Sequence, residues 1–394
     1  MIHLFINGLA ASAGGGLTYL RNVIPHLSRR DGVRSTVLLN SALRGEFEES
    51  ANISFVAEAA SGSVLGRWIH EQTGILRFVR RSGAHVLISA GNFALLNSPI
   101  PQILLSRNSL YTSSDFIRDV RTRGDYAIWI DTSLKGWLAR QSIRSADVTV
   151  APSQAFAGEL SRWSGREVAA IHHGFDTAAF TNTATPLSAE IQAQLDAGRD
   201  ALRLLFVSHY NYYRNFETLF RAMPILSRRL QGKKVRLYLT CRLNPGENPG
   251  SYRTQAASAL LDGLRTSCDI VELGSVPYHS LHRLYRACDI YVTPAYAESF
   301  AHPLVEAMSS GVPVVASDLP VHREICADAA VYFSRFSPEE LAECVARVCS
   351  SAELRASLAN NGRRRSHDFS WEKHVSRVIE LAGGLLRAQS NRCD

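Results

Sequence analysis

The chain has 394 residues, of which 46% are hydrophobic and 20% charged, and its formal net charge at pH 7 is +7. These proportions exclude a disordered chain, and the length suits two domains of ordinary size. No apolar run approaches the ~20 residues that span a bilayer. No nucleic-acid-reading motif accompanies the basic excess, so we expect no nucleic-acid partner; anionic phosphates or a membrane surface fit that charge better.

Cysteine usage and the N-terminus bear on the compartment. The seven cysteines all follow residue 240, and none forms a Cys-x-x-Cys pair. This pattern argues against a disulfide framework or a zinc site and predicts a cytoplasmic protein. The first residues resemble a signal peptide ending at residues 11–13, but a basic region is missing and Asn7 interrupts the apolar run. We therefore expect a first strand followed by a glycine loop.

Short apolar strands alternate with helical segments in two consecutive series. Their Val, Ile and Leu runs without clean alternation predict strands buried on both faces, as in parallel sheets. The predicted strands are Ile2–Asn7, Arg34–Asn40, Asn52–Ala57, His85–Ser89, Ile103–Ser106, Asp147–Ala151 and Val168–His172, then Leu202–Ser208, Val235–Thr240, Ile270–Leu273, Asp289–Thr293 and Val312–Ala316. A polar stretch without pattern separates the series. The sequence thus predicts an α/β protein with two doubly wound, Rossmann-like domains, residues 1–185 and 201–368, joined by a linker at 186–200 and facing each other across a cleft.

Two segments of the first domain carry candidate binding features. Gly14-Gly15-Gly16 precedes a predicted helix and is either a tight turn or a loop that lets a ligand approach the backbone. Apolar residues at helical spacing lie beside Arg67, Arg77, Arg80 and Arg81 further along the chain. They are Leu65, Trp68, Ile69, Gln72, Leu76 and Val79, with Gln72 the polar member. We favour a helix packed on the core with a solvated basic face; an alternative is contact with anionic lipid, to which Arg118, Arg121 and Arg123 add support.

The segment from Ile290 to Asp318, IYVTPAYAESFAHPLVEAMSSGVPVVASD, predicts a strand, a loop, a helix opening near Pro303 and a second strand. The loop lies at the carboxyl end of a strand and meets a helix N-terminus, where phosphates bind. Glu298 and Glu306 flank this position and are suited to grip hydroxyls. The combination predicts a sugar nucleotide as ligand.

These residues carry a family resemblance. Glu298 and Glu306, within ESFAHPLVEAMSSGVPVVAS, resemble the Glu-x7-Glu signature of retaining glycosyltransferases, and the whole match looks like glycosyltransferase family four. The resemblance implies the GT-B fold and retaining transfer from a nucleotide-diphosphate sugar, a substrate, with no cofactor. By the same resemblance Glu306 holds the ribose hydroxyls and Glu298 the sugar hydroxyls. The diphosphate would meet the backbone of Ser299, Phe300, Ala301, His302 and Leu304.

A second motif, VSHYNYYRN at residues 207–215, is similar to the family pattern V-G-R-L-x-x-x-K-N, whose Arg and Lys bind the donor diphosphate. Arg214 stands in place of Lys and His209 in place of Arg, so the resemblance implies catalytic roles for both and donor contacts for Arg214 and Asn215. The charge of His209 depends on pH. The alternative for Arg214 is a solvated cation at the start of a helix.

The first domain matches the family more loosely. Gly15 and Gly16 correspond to its N-terminal glycine loop, which faces the donor phosphates and the acceptor. Arg107 and Asn108 follow a strand where many relatives carry a histidine, and they either face the acceptor or belong to a plain loop. Phe369-Ser370-Trp371-Glu372 resembles the closing motif, whose helix, here 369–394, packs back on the first domain.

The chain contains no Asp-x-Asp pair, so we expect no metal ion in the site. The acceptor is expected to be a saccharide, lipid-linked in the assembly of cell-surface polysaccharide or lipopolysaccharide. That role would place a cytoplasmic enzyme peripherally on the inner membrane. A GT-B sugar-nucleotide epimerase and a non-catalytic sugar-nucleotide-binding subunit are the alternatives.

Overall fold

The computed structural model describes residues 1–11, 14–59, 64–182, 185–244, 246–248 and 252–393. The chain divides into two compact units. The first contains Met1–Thr112, Ile130–Gly174 and the residues from Ser370 onward, and the second contains Ser113–Trp129 and Phe175–Phe369. The end of the segment that resembles a signal peptide, residues 11–13, lies mostly outside the described part, since residues 12 and 13 are not described.

The described residues form these strands and helices in chain order. The strands are β1 (Ile2–Asn7), β2 (Val33–Asn40), β3 (Ile53–Glu58), β4 (Val86–Ser89), β5 (Gln102–Leu105), β6 (Val148–Ala151), β7 (Ala169–Ala170), β8 (Leu202–Phe206), β9 (Val235–Leu239), β10 (Asp269–Glu272), β11 (Ile290–Thr293), β12 (Val314–Ser317) and β13 (Ala330–Phe333). The helices are α1 (Gly14–Ser28), α2 (Val64–Thr73), α3 (Ile75–Ser82), α4 (Ser114–Thr122), α5 (Tyr126–Ser145), α6 (Gln154–Ser164), α7 (Thr177–Thr181), α8 (Ala189–Ala197), α9 (Phe216–Arg229), α10 (Gln255–Leu264), α11 (Tyr278–Arg286), α12 (His302–Ser309), α13 (Pro320–Cys326), α14 (Pro338–Ser350), α15 (Ala352–Ser366) and α16 (Trp371–Cys393).

The first unit is built on a seven-stranded sheet with the order β3-β2-β1-β4-β5-β6-β7, and every pairing is parallel. Its central strands are buried on both faces, because α1 and α16 cover one side while α3 covers the other. Ile75 and Val79 of α3 are buried against the sheet, and its arginines, Arg77, Arg80 and Arg81, are exposed. The side chains of Leu65 and Arg67 lie outside the described part. The core-packed interpretation of this helical region therefore holds for α3.

The second unit is built on a six-stranded parallel sheet with the order β10-β9-β8-β11-β12-β13. In both units the chain starts in the middle of the sheet, moves outward to one edge, and returns to fill the other side. This is the doubly wound arrangement. The predicted fold class of two such α/β domains is therefore confirmed, and the sheet gains one strand, β13, that the sequence did not reveal.

The last helix, α16, belongs to the first unit. Trp371, Val375 and Val378 lie in the same buried cluster as β1 and α1. Gly174 makes this packing possible, since a Cβ atom there would lie 2.0 Å from the backbone nitrogen of Trp371. His173 packs its ring against Trp371 and Tyr19.

Two features differ from the predicted boundaries. Residues 189–197 of the predicted linker form α8, because Ser188 caps the helix and Ile191 and Leu195 bury an apolar side. The segment Ser113–Trp129 belongs to the second unit although it interrupts the first in sequence. No described helix has the length and apolar character of a membrane span.

Candidate functional site

The second unit places its candidate residues at one point of its sheet. The strand order changes direction between β8 and β11, and ligands of doubly wound sheets bind at the carboxyl ends of the strands at such a point. The loop after β8 carries His209 and Arg214, and the loop after β11 carries Glu298. The topology thus brings together two motifs that are more than 80 residues apart.

Hydrogen bonds fasten these two loops to each other. The Asn215 side-chain nitrogen donates to the carbonyl of Pro294 (3.0 Å) and to that of Arg335 (2.6 Å). Its side-chain oxygen accepts from Thr218 (2.8 Å), and the Tyr296 amide donates to the carbonyl of Tyr213 (2.9 Å). The Asn215 amide group, predicted to contact the donor, is thus committed to the protein and positions the loops instead.

Helix α12 begins immediately after the second loop. Ala301, its N-cap, has φ +66°, a left-handed conformation that a residue other than glycine rarely adopts. Backbone strain of this kind concentrates at functional sites. Phe300 is buried and packs edge-on against Phe369 (5.4 Å between ring centroids). Leu304 is buried too, and its amide donates to the Ala301 carbonyl (3.0 Å), so that amide is not free for a phosphate. Any contribution of this turn to phosphate binding must therefore come from the backbone of residues 299–302.

Arg214 and Glu298 contact each other directly. The Arg214 Nη1 donates to the Glu298 carboxylate, and the two side chains are only 19% and 10% exposed. Burial disfavours the charged guanidinium, but the Glu298 carboxylate outweighs that cost and raises the pKa of Arg214. The Arg214 guanidinium also lies over the ring of Tyr213 at 5.0 Å. Arg214 is therefore a permanent buried cation and not a solvated one. It forms an ion pair with Glu298, the carboxylate that the resemblance assigns to the sugar hydroxyls.

Glu306 lies one turn into α12 and is 7% exposed. Burial raises the pKa of its carboxyl group from 4.5 to about 7, and the hydrogen bond from the Tyr285 hydroxyl (2.9 Å) partly offsets this rise. A carboxyl group in this condition gains from hydroxyl donors, since they stabilise its charged form. Tyr285 was not among the predicted residues, because a tyrosine on a buried helix face carries no sequence signal of its own.

His209 is exposed, whereas its neighbours are more buried. Partial removal from water and the charge of Arg214 lower the pKa of its imidazole, so the ring is neutral at pH 7 in this state. His322 was also missed by the sequence. It is fully buried, and its Nδ1 lies 2.9 Å from the Ser317 carbonyl oxygen. Burial lowers the pKa of its imidazole; the charge of Glu298 opposes this change and that of Arg214 adds to it.

The first unit holds the other candidates. Arg107, at the carboxyl end of β5, donates to the carbonyls of Ala90 and Gly15, the latter at 3.4 Å. Its guanidinium lies 4.8 Å from the ring centroid of Tyr19, and burial lowers its pKa. Among the described residues no carboxylate lies within ion-pair distance of it. Asn108 caps a short turn by accepting from the Leu110 amide (3.0 Å), as expected for a plain loop residue.

Gly15 and Gly16 form part of the first turn of α1. A Cβ atom at Gly16 would lie 3.0 Å from Ala11, so packing already favours glycine there. A Cβ atom at Gly15 would meet nothing within 4 Å, and the φ angle of Gly15 is not positive. Neither packing nor conformation therefore requires glycine at position 15.

In the described part of the chain, no three His, Cys, Asp or Glu side chains lie close enough to hold a metal ion together. The site residues of the second unit are therefore two carboxyl groups, one permanent cation, one neutral imidazole and a helix N-terminus. Such a set can bind hydroxyls and an anionic group at the same time.

Comparison with known proteins identifies sequences similar to this chain. Residues 188–365 match the model of the family described as "Glycosyl transferases group 1". D-inositol 3-phosphate glycosyltransferase of Salinispora arenicola is 28% identical over 256 residues, which cover 63% of this chain and 57% of that relative. O-antigen chain mannosyltransferase B of Escherichia coli is 31% identical over 107 residues, 27% of this chain and 28% of that relative. The chain spans about half the length of the first relatives it matches.

Solved structures extend the likeness to the whole fold. Sucrose-phosphate synthase from Thermosynechococcus elongatus has a TM-score of 0.77 at 16% identity, covering 98% of this chain and 100% of that one. HepE from Anabaena, solved in complex with UDP-glucose, has a TM-score of 0.71 at 17% identity and the same coverage. These neighbours are GT-B proteins, and the architecture found here is theirs.

Proposed function

We propose that this protein is a retaining glycosyltransferase that moves a sugar from a nucleotide-diphosphate donor to a saccharide acceptor. The observation that carries the proposal is the placement of Glu298 and Glu306. Glu298 lies in the loop after β11, where the strand order reverses, and Glu306 lies in α12, the helix that follows this loop. Both belong to the part of the chain that is similar to glycosyltransferases of group 1. The UDP-glucose complex of a structural neighbour supports a sugar nucleotide as donor.

The residues of the second unit divide the donor between them in this proposal. Glu306 accepts hydrogen bonds from the ribose hydroxyls, and the backbone from Ser299 to His302 meets the diphosphate at the helix N-terminus. Arg214 neutralises the charge that develops on the leaving diphosphate, which stabilises the transition state more than the ground state. Glu298 accepts from hydroxyls of the transferring sugar, and it must exchange part of its bond with Arg214 to do so.

We further propose that the reaction needs no divalent ion, because Arg214 and the backbone amides supply the positive charge. The acceptor is a saccharide, and the first unit, with Gly15 and Arg107, is the part that binds it. A lipid-linked acceptor in cell-surface polysaccharide assembly agrees with the mannosyltransferase of O-antigen chains among the relatives. An association with the inner membrane belongs to the same proposal.

Incubation with radiolabelled UDP- and GDP-sugars tests the function, with and without simple saccharide acceptors and excess EDTA. Transfer, or slow hydrolysis of the donor to free sugar, is the expected result, and proton NMR of the product should show the anomeric configuration of the donor. Conversion of the donor to an epimer would support a GT-B epimerase. Binding without any turnover would support a non-catalytic subunit, and activity abolished by EDTA and restored by manganese would contradict the metal-free mechanism.

A further inference from the structure

Helix α4 belongs to the second unit, although the chain enters it from the first unit and returns to the first unit after Trp129. Its apolar side is formed by Phe116 and Val120, which are both fully buried. The ring of Phe116 packs edge-on against that of Tyr213 (6.4 Å between ring centroids), the residue before Arg214. The helix therefore packs directly on the loop that carries Arg214.

The carboxylate of Asp119, in the same helix, accepts hydrogen bonds with both of its oxygens. One oxygen accepts from the Tyr296 hydroxyl (2.7 Å), and the other accepts from the Arg123 guanidinium (2.8 Å). Tyr296 lies in the loop after β11, two residues before Glu298. Burial and the charge of Asp119 both raise the pKa of the Tyr296 hydroxyl, so this group stays protonated and donates. Asp119 thus holds the loop that carries Glu298.

Arg123 extends this connection to helix α9. Its Nη1 donates to Glu217 (2.8 Å), a buried residue in the first turn of α9 and three residues after Arg214. Burial disfavours the charge of Arg123, but Glu217 and Asp119 outweigh that cost and raise its pKa. A chain of charge-assisted hydrogen bonds therefore runs from the loop after β11 through α4 to the start of α9.

Asp115, in the first turn of α4, makes a third connection. Its Oδ2 accepts from two nitrogens of Arg335, at 2.8 and 2.6 Å. The carbonyl of Arg335 in turn accepts from the Asn215 side chain, which also holds the loop after β11 through Pro294. The helix is therefore joined to every loop that meets at Asn215.

These polar contacts do more than anchor the helix. Anchoring needs only the apolar side, which Phe116 and Val120 supply, and charged groups removed from water carry a cost that apolar contacts do not. Hydrogen bonds additionally fix the distance and direction between the groups they join. The distance fixed here is the one between the loops of Arg214 and Glu298, which form an ion pair.

We propose that Asp119 is a positioning residue for sugar transfer, which sets the distance between Arg214 and Glu298. It acts through the hydrogen bonds that join α4 to the loop after β11 and to α9. The inference rests on the proposed function, in which Arg214 faces the leaving diphosphate and Glu298 the sugar. A displacement of about 1 Å at reacting groups costs up to about 100-fold in rate. Asp119 contacts no substrate in this proposal, so turnover should depend on it far more than nucleotide affinity does.

Donor hydrolysis and calorimetry with UDP or GDP test the proposal on Asp119→Ala. Turnover should fall roughly 10–100-fold, and nucleotide affinity should change by less than about threefold. Asp119→Asn, which keeps the shape and one acceptor oxygen, should lose less turnover and serves if the alanine variant does not fold. Asp262→Ala, which removes an exposed carboxylate paired with Arg265 in the same unit, is the matched control and should match the wild type. Unchanged turnover, or equal losses of turnover and affinity, would overturn the proposal.

Amide hydrogen exchange, followed by mass spectrometry of peptides, reports the positioning without any turnover. The Tyr296 amide donates to the Tyr213 carbonyl (2.9 Å), so exchange in residues 294–301 should quicken at least about tenfold in Asp119→Ala, while β8 and β9 should exchange as in the wild type. Unchanged exchange in residues 294–301 would overturn the proposal. A wild-type protein without turnover would refute the proposed function, and the exchange measurement would still decide whether Asp119 holds the two loops together.

Discussion

Glu306 offers a quantitative test of the site, because its carboxyl group is buried and forms no ion pair with any of the described residues. The folded-state pKa is about 7 against an ordinary 4.5, and each unit of difference corresponds to about 1.4 kcal/mol. The folded protein holds this proton more tightly than the unfolded chain. Protonated Glu306 thus makes its full contribution to the free energy of unfolding below pH 4.5, and this contribution is lost as pH rises through about 7. The total loss is about 3 kcal/mol.

Glu306→Gln keeps the shape of the side chain and the acceptor for the Tyr285 hydroxyl, but it removes the titration. The free energy of unfolding, measured by urea denaturation, should be similar for variant and wild type near pH 4.5 and higher for the variant at pH 8, by up to about 3 kcal/mol. Glu167→Gln, an exposed change in the first unit, controls for the loss of a surface carboxylate. A constant difference between Glu306→Gln and wild type at both pH values would refute the reasoning.

Nucleotide binding provides a second measurement on the same residue. Ribose hydroxyls that donate to Glu306 favour its charged form, so binding of UDP or GDP near pH 6.5 should release a proton. Calorimetry in two buffers of different ionisation enthalpy measures that release. The Glu306→Gln variant should lack this contribution to the net proton exchange, and it should bind the nucleotide more weakly, by roughly 1.5–3 kcal/mol. Identical net proton exchange in variant and wild type would assign the titration to another group.

Three further changes test the remaining parts of the site. Gly15→Ala should lower turnover, and it should leave the free energy of unfolding unchanged or raise it by up to about 1 kcal/mol. Gly263→Ala, a control that also faces open space in a helix, should keep full turnover. Unaffected turnover in Gly15→Ala would show that no ligand contacts that loop. Arg214→Ala should depress turnover strongly and lower the free energy of unfolding in urea by about 3 kcal/mol, because it leaves Glu298 buried without its cation. Adding Glu298→Ala should recover part of that stability. Strictly additive effects of the two changes would show that the pair is not coupled. A bound diphosphate raises the pKa of His209, which then loses its charge as pH rises through that value. His209→Arg should therefore flatten the fall of turnover on the alkaline side. A pH profile identical to that of the wild type would exclude a pH-dependent charge at His209.

The sequence by itself determined the α/β class, the two series of strands and the β11–α12 segment, because these depend on local patterns. Apolar runs specify buried strands, and Pro303 and Gly311 mark the ends of a helix. The motif resemblance pointed to Glu298, Glu306 and Arg214, and the structure brings their loops to one end of one sheet.

Only the tertiary structure decided what these side chains contact. Arg214 and Glu298 are 84 residues apart, and their pairing arises because β8 and β11 are neighbours. The high pKa of Glu306 comes from its burial, which no local pattern reports. Burial also separates helices that look alike in sequence. Both α3 and α5 combine apolar and basic residues, and only packing decides that Val79 is buried while Leu134 is exposed.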